Sequence, residues 1–401
     1  MKSETVMGCQ SGGRVALSST AETIFPTCPR RLAGVVGIYV HVPFCDGKCP
    51  YCDFYSLRGG EELMDRYTAA LAKRIRRWAE EHGKKRIATV YFGGGTPSLL
   101  GAERLSALLT VVRECFDLAG DVEITLEANP VSVDEDFFRG VREAGFNRLS
   151  MGMQSGVEEE LRFLGRKHTL KDVENAVQSA RKAGFDNLSL DLMLGLPEGN
   201  EGKLKQSIDF AAGLGADHIS AYLLKIEPGT PFAAQKITVP EDDEAADQYL
   251  FCVSELEKRG FLQYEISNFA KPGRESRHNL VYWHGEEYLG FGPGAHSFYR
   301  GKRFFYPRDL EGFLAGNPPQ DDGDGGSFSE YAMLNLRLTE GLQRDRCVAK
   351  FGAAGQTEFD RLLKNTKKCP PGFFSRADSD RISFTSEGFL VSNSLLLQLL
   401  E

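Results

Sequence analysis

From Val35 onward, short apolar runs alternate with longer stretches of helical period. Strands are expected at Val35–Val42, Ala88–Gly93, Val122–Ala128, Arg148–Met153, Leu188–Leu194 and His218–Lys225. Between them, apolar residues recur at three- and four-residue spacing over Glu61–Glu81, Ala102–Cys115, Asp134–Ala144, Leu170–Ala183 and Gly202–Leu214, with a further helix at Asp242–Arg259. Six βα units joined by short connections predict parallel strands in chain order, because such crossovers are right-handed. Six units are too few to close an eight-stranded barrel. The expected fold is α/β: an open (β/α)6 partial TIM barrel over residues 35–260, with its active face at the C-terminal strand ends.

Beyond residue 260 the pattern changes. Residues 261–315 are rich in aromatics and glycine, and the Pro/Gly/Asp run Gly316–Gly326 reads as a linker. Residues 327–401 carry helix-like stretches at Tyr331–Arg337 and Gln356–Leu363 and a strand-like Arg381–Thr385. They predict a small winged-helix-like α+β domain at the C-terminus. The first 34 residues show no clear periodicity and are expected to be a disordered extension, or the product of a mis-set start codon. An organellar leader would be basic and Ser-rich, and Glu4 and Glu22 count against it.

Composition narrows the partners. The chain of 401 residues is 41% hydrophobic and 26% charged, as globular proteins are. A formal charge of −8 argues against a nucleic-acid partner, which normally leaves a basic stripe. No apolar run is long enough to span a membrane. A cytoplasmic location is expected.

Three of the nine cysteines fall within eight residues, Cys45-Asp-Gly-Lys-Cys49-Pro-Tyr-Cys52, directly after the first strand. Thiolates spaced this closely suit one compact [4Fe–4S] cluster. Three thiolates leave one iron open, and the amino and carboxylate groups of S-adenosylmethionine (SAM) would fill it. A Cys₃His zinc site recruiting His41 is the rival reading, but structural zinc usually takes paired CxxC clips and no second clip exists. The other cysteines (9, 28, 115, 252, 347 and 369) are scattered, and a chain this long needs no disulfide scaffold.

Chemistry-bearing residues recur at the following strand ends. Gly93-Gly94-Gly95-Thr96-Pro97 follows the second strand, and a glycine run leaves backbone groups open to a small charged ligand. The third strand ends at Glu127, a carboxylate suited to an ammonium group. The fourth runs out into Gln154, with Arg166 a turn later. The fifth carries Asp191 in an otherwise apolar run, where ribose hydroxyls would serve it. Each alone is equally well explained as structural; together, at successive strand ends, they favour a site.

YVHVPFCDGKCPYCDF, FGGGTPS, LSMGMQSG and DLMLGLP together resemble the radical SAM superfamily, within the group of oxygen-independent coproporphyrinogen III oxidases and the related heme chaperone HemW, over roughly residues 36–400. The resemblance implies cluster ligation by Cys45, Cys49 and Cys52. It assigns SAM contacts to Tyr39, Tyr51, Gly94, Gly95, Thr96, Glu127, Gln154, Arg166 and Asp191, with Tyr51 flanking the adenine. Two features divide the group. Phe54 stands where the oxidase has a fourth cysteine, which puts decarboxylation of coproporphyrinogen by a 5′-deoxyadenosyl radical in doubt. His278-Asn279-Leu280-Val281-Tyr282-Trp283 matches the HNxxYW string typical of HemW. An imidazole is a standard axial heme ligand, so His278 is the expected heme residue, with His284 and His296 as rivals. Without the resemblance, these side chains read as packing against the barrel. The expected function is a heme chaperone, with heme as cargo and an acceptor protein as partner. An electron donor and a second copy of the chain are further partners the resemblance leaves open.

Overall fold

The computed structural model describes residues 36–401, so the expected extension over residues 1–34 lies outside the described residues, as do Cys9 and Cys28. The six expected strands are all present: β1 (Val36–Val42), β2 (Arg86–Gly94), β3 (Asp117–Ala128), β4 (Arg148–Gln154), β5 (Leu188–Leu194) and β6 (His218–Leu223). They lie parallel and in chain order. Crossovers run through α1 (Glu61–His82), α2 (Gly101–Cys115), α3 (Glu135–Ala144), α4 (Glu158–Phe163) with α5 (Leu170–Lys182), and α6 (Glu201–Gly213). Local chemistry sets the helix ends. Thr169 and Asp172 form a reciprocal capping box on α5, and Asp134 caps α3, which ends on left-handed Gly145.

Strand alternation separates two environments. Outward residues such as Ile38, Val40, Val90, Phe92, Leu126, Leu149 and Leu190 pack against the helices in one apolar core. In α1, Met64, Tyr67, Leu71 and Ile75 recur at helical spacing and are buried on this face. Burying each such side chain contributes roughly 1.5–3 kcal/mol. The inward residues are polar: Tyr39 and His41, Thr89 and Tyr91, Glu123 and Glu127, Arg148 and Ser150, Ser189 and Asp191, His218 and Ser220. β6 and β1 do not pair, so the barrel stays open among the described residues.

Residues 261–324 continue this sheet rather than forming a separate segment. Past α7 (Pro231–Gln235) and α8 (Asp242–Lys258), β7 (Leu262–Glu265) and β8 (Asn268–Ala270) add antiparallel to the β6 edge. β9 (Tyr288–Phe291) pairs parallel to β1 and is followed outward by β10 (His296–Tyr299), β11 (Lys302–Phe305) and β12 (Gln320–Asp324). The run expected as a linker therefore contains β12, held to β11 by backbone pairing. β12 carries no apolar side chain, and all of its residues are exposed. The HNxxYW string forms the short helix α9 (Arg277–Trp283), which lies inside the barrel against the N-terminal halves of the strands.

After α10 (Leu310–Ala315), the C-terminal domain comprises α11 (Phe328–Asn335), β13 (Leu342–Gln343), α12 (Arg344–Asn365), β14 (Phe374–Ala377), β15 (Arg381–Phe384), α13 (Ser386–Leu390) and α14 (Ser392–Leu400). Three antiparallel strands in the order β13-β15-β14 and the surrounding helices give the expected winged-helix-like arrangement over its own apolar cluster. No helix of the described residues is long and apolar enough to cross a membrane.

Candidate functional site

The inward residues divide by depth. Thr89, Glu123, Arg148, Ser189 and His218, low in the barrel, are buried. Tyr39, Tyr91, Glu127, Gln154 and Asp191, nearer the C-terminal ends, are partly exposed to the mouth. The lumen is therefore closed below by α9 and open above.

The cysteine loop lies at that mouth. It is pinned by backbone bonds from Cys45 N–H to Leu57 O (3.0 Å) and from Cys52 N–H to Cys49 O (3.0 Å). Cys45, Cys49 and Cys52 are all half-buried. Thr96 Oγ1 donates to Cys45 Sγ at 3.5 Å, and an Arg166 guanidinium nitrogen stands 3.6 Å from Cys49 Sγ. Hydroxyl and guanidinium donors compensate a thiolate-rich site. Arg166 Nε is buried and makes no hydrogen bond. His41 is not available as a fourth metal ligand: Nδ1 takes the Tyr39 hydroxyl at 3.0 Å and Nε2 faces Tyr55 O at 3.0 Å. Among the described residues no three His, Cys, Asp or Glu side chains gather as a single ion would require. Three half-buried free thiols on one loop are the donor type that an iron–sulfur cluster takes.

The glycine run does not leave its amides open as expected. Gly94 N–H donates to Glu127 at 3.1 Å, Gly95 N–H to Val42 O at 2.8 Å and Thr96 N–H to Phe44 O at 2.7 Å. The glycines are needed for close approach instead. A Cβ on Gly95 would stand 2.5 Å from Phe44 O, and one on Gly94, at φ 111°, 2.6 Å from the His41 ring.

Two carboxylates face the lumen. Tyr91 donates to Glu127 at 2.7 Å. Burial, with a smaller push from Asp191, raises the Glu127 pKa to about 7 against these bonds. Ser150 lies 3.4 Å from Asp191, whose pKa burial raises to about 6. Such groups gain most from a cation or hydroxyl donor arriving in the lumen. Gln154 ends β4 at φ 70°, a strained conformation for a non-glycine residue and one that clusters at functional sites. Arg166 reaches back to Gly152 O at 2.9 Å. Tyr51 packs near Phe232, ring centres 6.3 Å apart, at the edge of a small apolar cluster with Leu164, Leu196 and Leu224. All the expected SAM residues thus surround one mouth. Tyr91, which fixes Glu127, and the fully buried Arg148 were not anticipated. Arg148 carried the same signal as Asp191, a charge in an apolar strand.

The histidines of the expected heme region are dispersed. His278 is 1% exposed, with Nδ1 2.8 Å from Thr89 Oγ1 and Nε2 2.8 Å from the Tyr282 hydroxyl. Glu123 anchors its backbone, accepting from His278 N–H at 2.9 Å. Burial and Arg148 lower its pKa to about 3, so the imidazole is neutral. Its ring stacks 5.1 Å from Tyr91. His284 pairs with Glu340 at 2.5 Å, and exposed His296 stacks on Phe305. As placed, His278 has no open nitrogen.

Residues 39–211 match the radical SAM superfamily model. A heme chaperone HemW of Mycobacterium tuberculosis is 36% identical, over 94% of this chain and all of that protein. The chain belongs to the HemW family within the radical SAM superfamily. Two further HemW heme chaperones agree: that of Bacillus subtilis is 35% identical over 89% of this chain and 97% of its own length, and that of Escherichia coli 36% over 90% and 97%. Among solved structures, the coproporphyrinogen III oxidase of Escherichia coli, a radical SAM enzyme, superposes with a TM-score of 0.78 at 23% identity, covering 91% of this chain and 90% of that one. That likeness establishes the shared open-barrel fold.

Proposed function

We propose that this HemW-family protein is a cytoplasmic heme chaperone. It binds heme beside α9, holds a [4Fe–4S] cluster and SAM at the barrel mouth, and passes heme to an acceptor protein. The observation that carries the reading is identity above one third with heme chaperones across nearly the whole chain. Phe54 agrees with it: the side chain is 65% exposed beside the cluster loop, where a phenylalanine can neither ligate iron nor pass electrons.

Cys45, Cys49 and Cys52 would hold the cluster, whose open iron supplies the position for the amino acid end of SAM. Glu127 meets the ammonium, held in place by Tyr91 and Gly94 N–H. Asp191 takes ribose hydroxyls, Tyr51 covers the adenine, and Arg166 and Gln154 border the same mouth. Tyr39, beneath the cluster loop, orients His41 and so the strand that carries the loop. Buried donors already committed to these carboxylates keep them aimed at the lumen.

Anaerobic reconstitution, followed by heme titration and by assay with reductant, SAM and coproporphyrinogen, tests the reading. Heme binding without protoporphyrinogen formation is expected. Protoporphyrinogen formation would overturn it in favour of the oxidase, and failure to bind heme would point to a different radical SAM enzyme.

A further inference from the structure

The last turns of α1 carry side chains that neither the barrel core nor its mouth uses. The buried stripe of the helix ends at Ile75, and its next positions are Trp78 and His82. Arg74, Arg77 and Glu81 flank them at three- and four-residue spacing. Facing this turn are Ser297 and Tyr299, alternate residues of β10, and Phe304 of β11 with Tyr306 beyond it. Alternation places each pair on one face of the sheet, the face that meets α1 outside the lumen.

Between helix and sheet lies a cavity of about 310 Å³, its wall completed by Pro318 and Pro319. Ordinary ligand sites begin at roughly 300 Å³, so there is room for a small ring system. The walls are flat and held in place. The Trp78 and His82 rings stack with centres 4.6 Å apart, and Tyr299 meets Trp78 edge-on at 5.4 Å. Arg74 donates to Asn317 O at 2.5 Å, which ties down the proline segment, and its guanidinium lies 5.6 Å from the Tyr306 ring centre.

Two donors here are unspent. Tyr299 and Tyr306 are each only 7% exposed, yet neither hydroxyl has a hydrogen-bond partner among the described residues. Buried phenols usually find one. Burial holds the Tyr306 hydroxyl above its ordinary pKa, against the pull of Arg74 and Arg77, so it stays protonated and able to donate. Charge points the same way. Arg74 and Arg77 line the cavity with a single carboxylate, Glu81, which Arg77 already holds at 2.7 Å.

We propose that this cavity binds a small planar aromatic carboxylate, with its ring against Trp78 and Phe304 and its acid group turned to the two phenols and the arginines. The site lies apart from the barrel mouth and from α9, so its failure would leave heme carriage untouched.

Calorimetric titration of the full chain with 2-naphthoate tests this. The neutral analogue 2-naphthamide and the non-planar acid cyclohexanecarboxylate serve as controls. One saturable site for 2-naphthoate is expected, with each control roughly tenfold weaker or more. Tyr299→Phe and Tyr306→Phe keep the rings and remove one donor each. Both should melt as the wild type does and bind 2-naphthoate about tenfold more weakly, the worth of a hydrogen bond to a charged group. A loss in one variant alone would assign the acid group to that hydroxyl and keep the site. Absence of saturable binding, equal binding of 2-naphthamide, or unchanged affinity in both tyrosine variants would overturn the proposal. Unchanged affinity in Trp78→Leu would place the ring elsewhere and overturn it too.

Discussion

At the scale of single residues, Glu127 makes the sharpest claim. Its folded pKa of about 7 lies above the ordinary 4.5 because burial penalises the carboxylate. A ligand ammonium needs that carboxylate ionised, so binding below pH 7 must expel a proton. SAM affinity should therefore fall as pH drops from 8 to 6, approaching tenfold per unit. The same shift acts oppositely on the ligand-free fold. A raised carboxyl stabilises fully below the unfolded pKa, and that stability is lost as pH rises from about 4.5 to 7, by at most about 3 kcal/mol. Glu127→Gln should bind SAM weakly at every pH and flatten both profiles. Calorimetric titrations and melting curves across pH 5–8 measure both. A slope retained in Glu127→Gln would assign the proton elsewhere, with Asp191 next in line.

At the scale of elements, the turn after β2 separates two uses of glycine. Gly94 and Gly101 both have positive φ, 111° and 79°. An alanine Cβ at Gly101 meets open space, so Gly101→Ala should cost only the backbone term of a conformation that side-chain-bearing residues rarely adopt, about 1–3 kcal/mol. Gly94→Ala must also move the buried His41 ring, which is held at both nitrogens. It should lower the melting temperature further than Gly101→Ala and disturb the cysteine loop that follows β1. Equal melting temperatures would remove the packing argument. The same contrast explains what the chain made legible. β1–β6 were readable because each carries a buried apolar face over six residues or more, and tertiary packing reinforces that pattern. β7–β11 are three or four residues long, and β12 (QDDGD) has no apolar face at all, so their pairing depends on a sheet edge built elsewhere. The cluster cysteines, Glu127 and Asp191 stood out as unusual residue types for their positions. Tyr91 and Thr89 did not, since aromatic and β-branched residues are ordinary in strands, and only the three-dimensional placement shows what they hold.

At the scale of the whole molecule, the barrel mouth and α9 are joined by one chain of side chains. Glu127 accepts from Tyr91, the Tyr91 ring stacks on His278 with centres 5.1 Å apart, and His278 Nε2 lies 2.8 Å from the Tyr282 hydroxyl on the same helix. A SAM ammonium drawn to Glu127 would compete with the Tyr91 hydroxyl, and any shift of that ring moves the surface on which the imidazole lies. SAM should therefore change heme affinity, and heme should change SAM affinity by the same factor, since coupling free energy is reciprocal. Couplings of this kind typically span about 5- to 150-fold. Tyr91→Phe keeps the stack but cuts the link to Glu127, so it should retain both binding events and reduce the factor toward one. Heme titrations with and without SAM, on wild type and Tyr91→Phe, give that factor directly. An equal factor in both proteins would route the coupling around Tyr91. A factor of one in the wild type would mean that SAM and heme act on this chain independently.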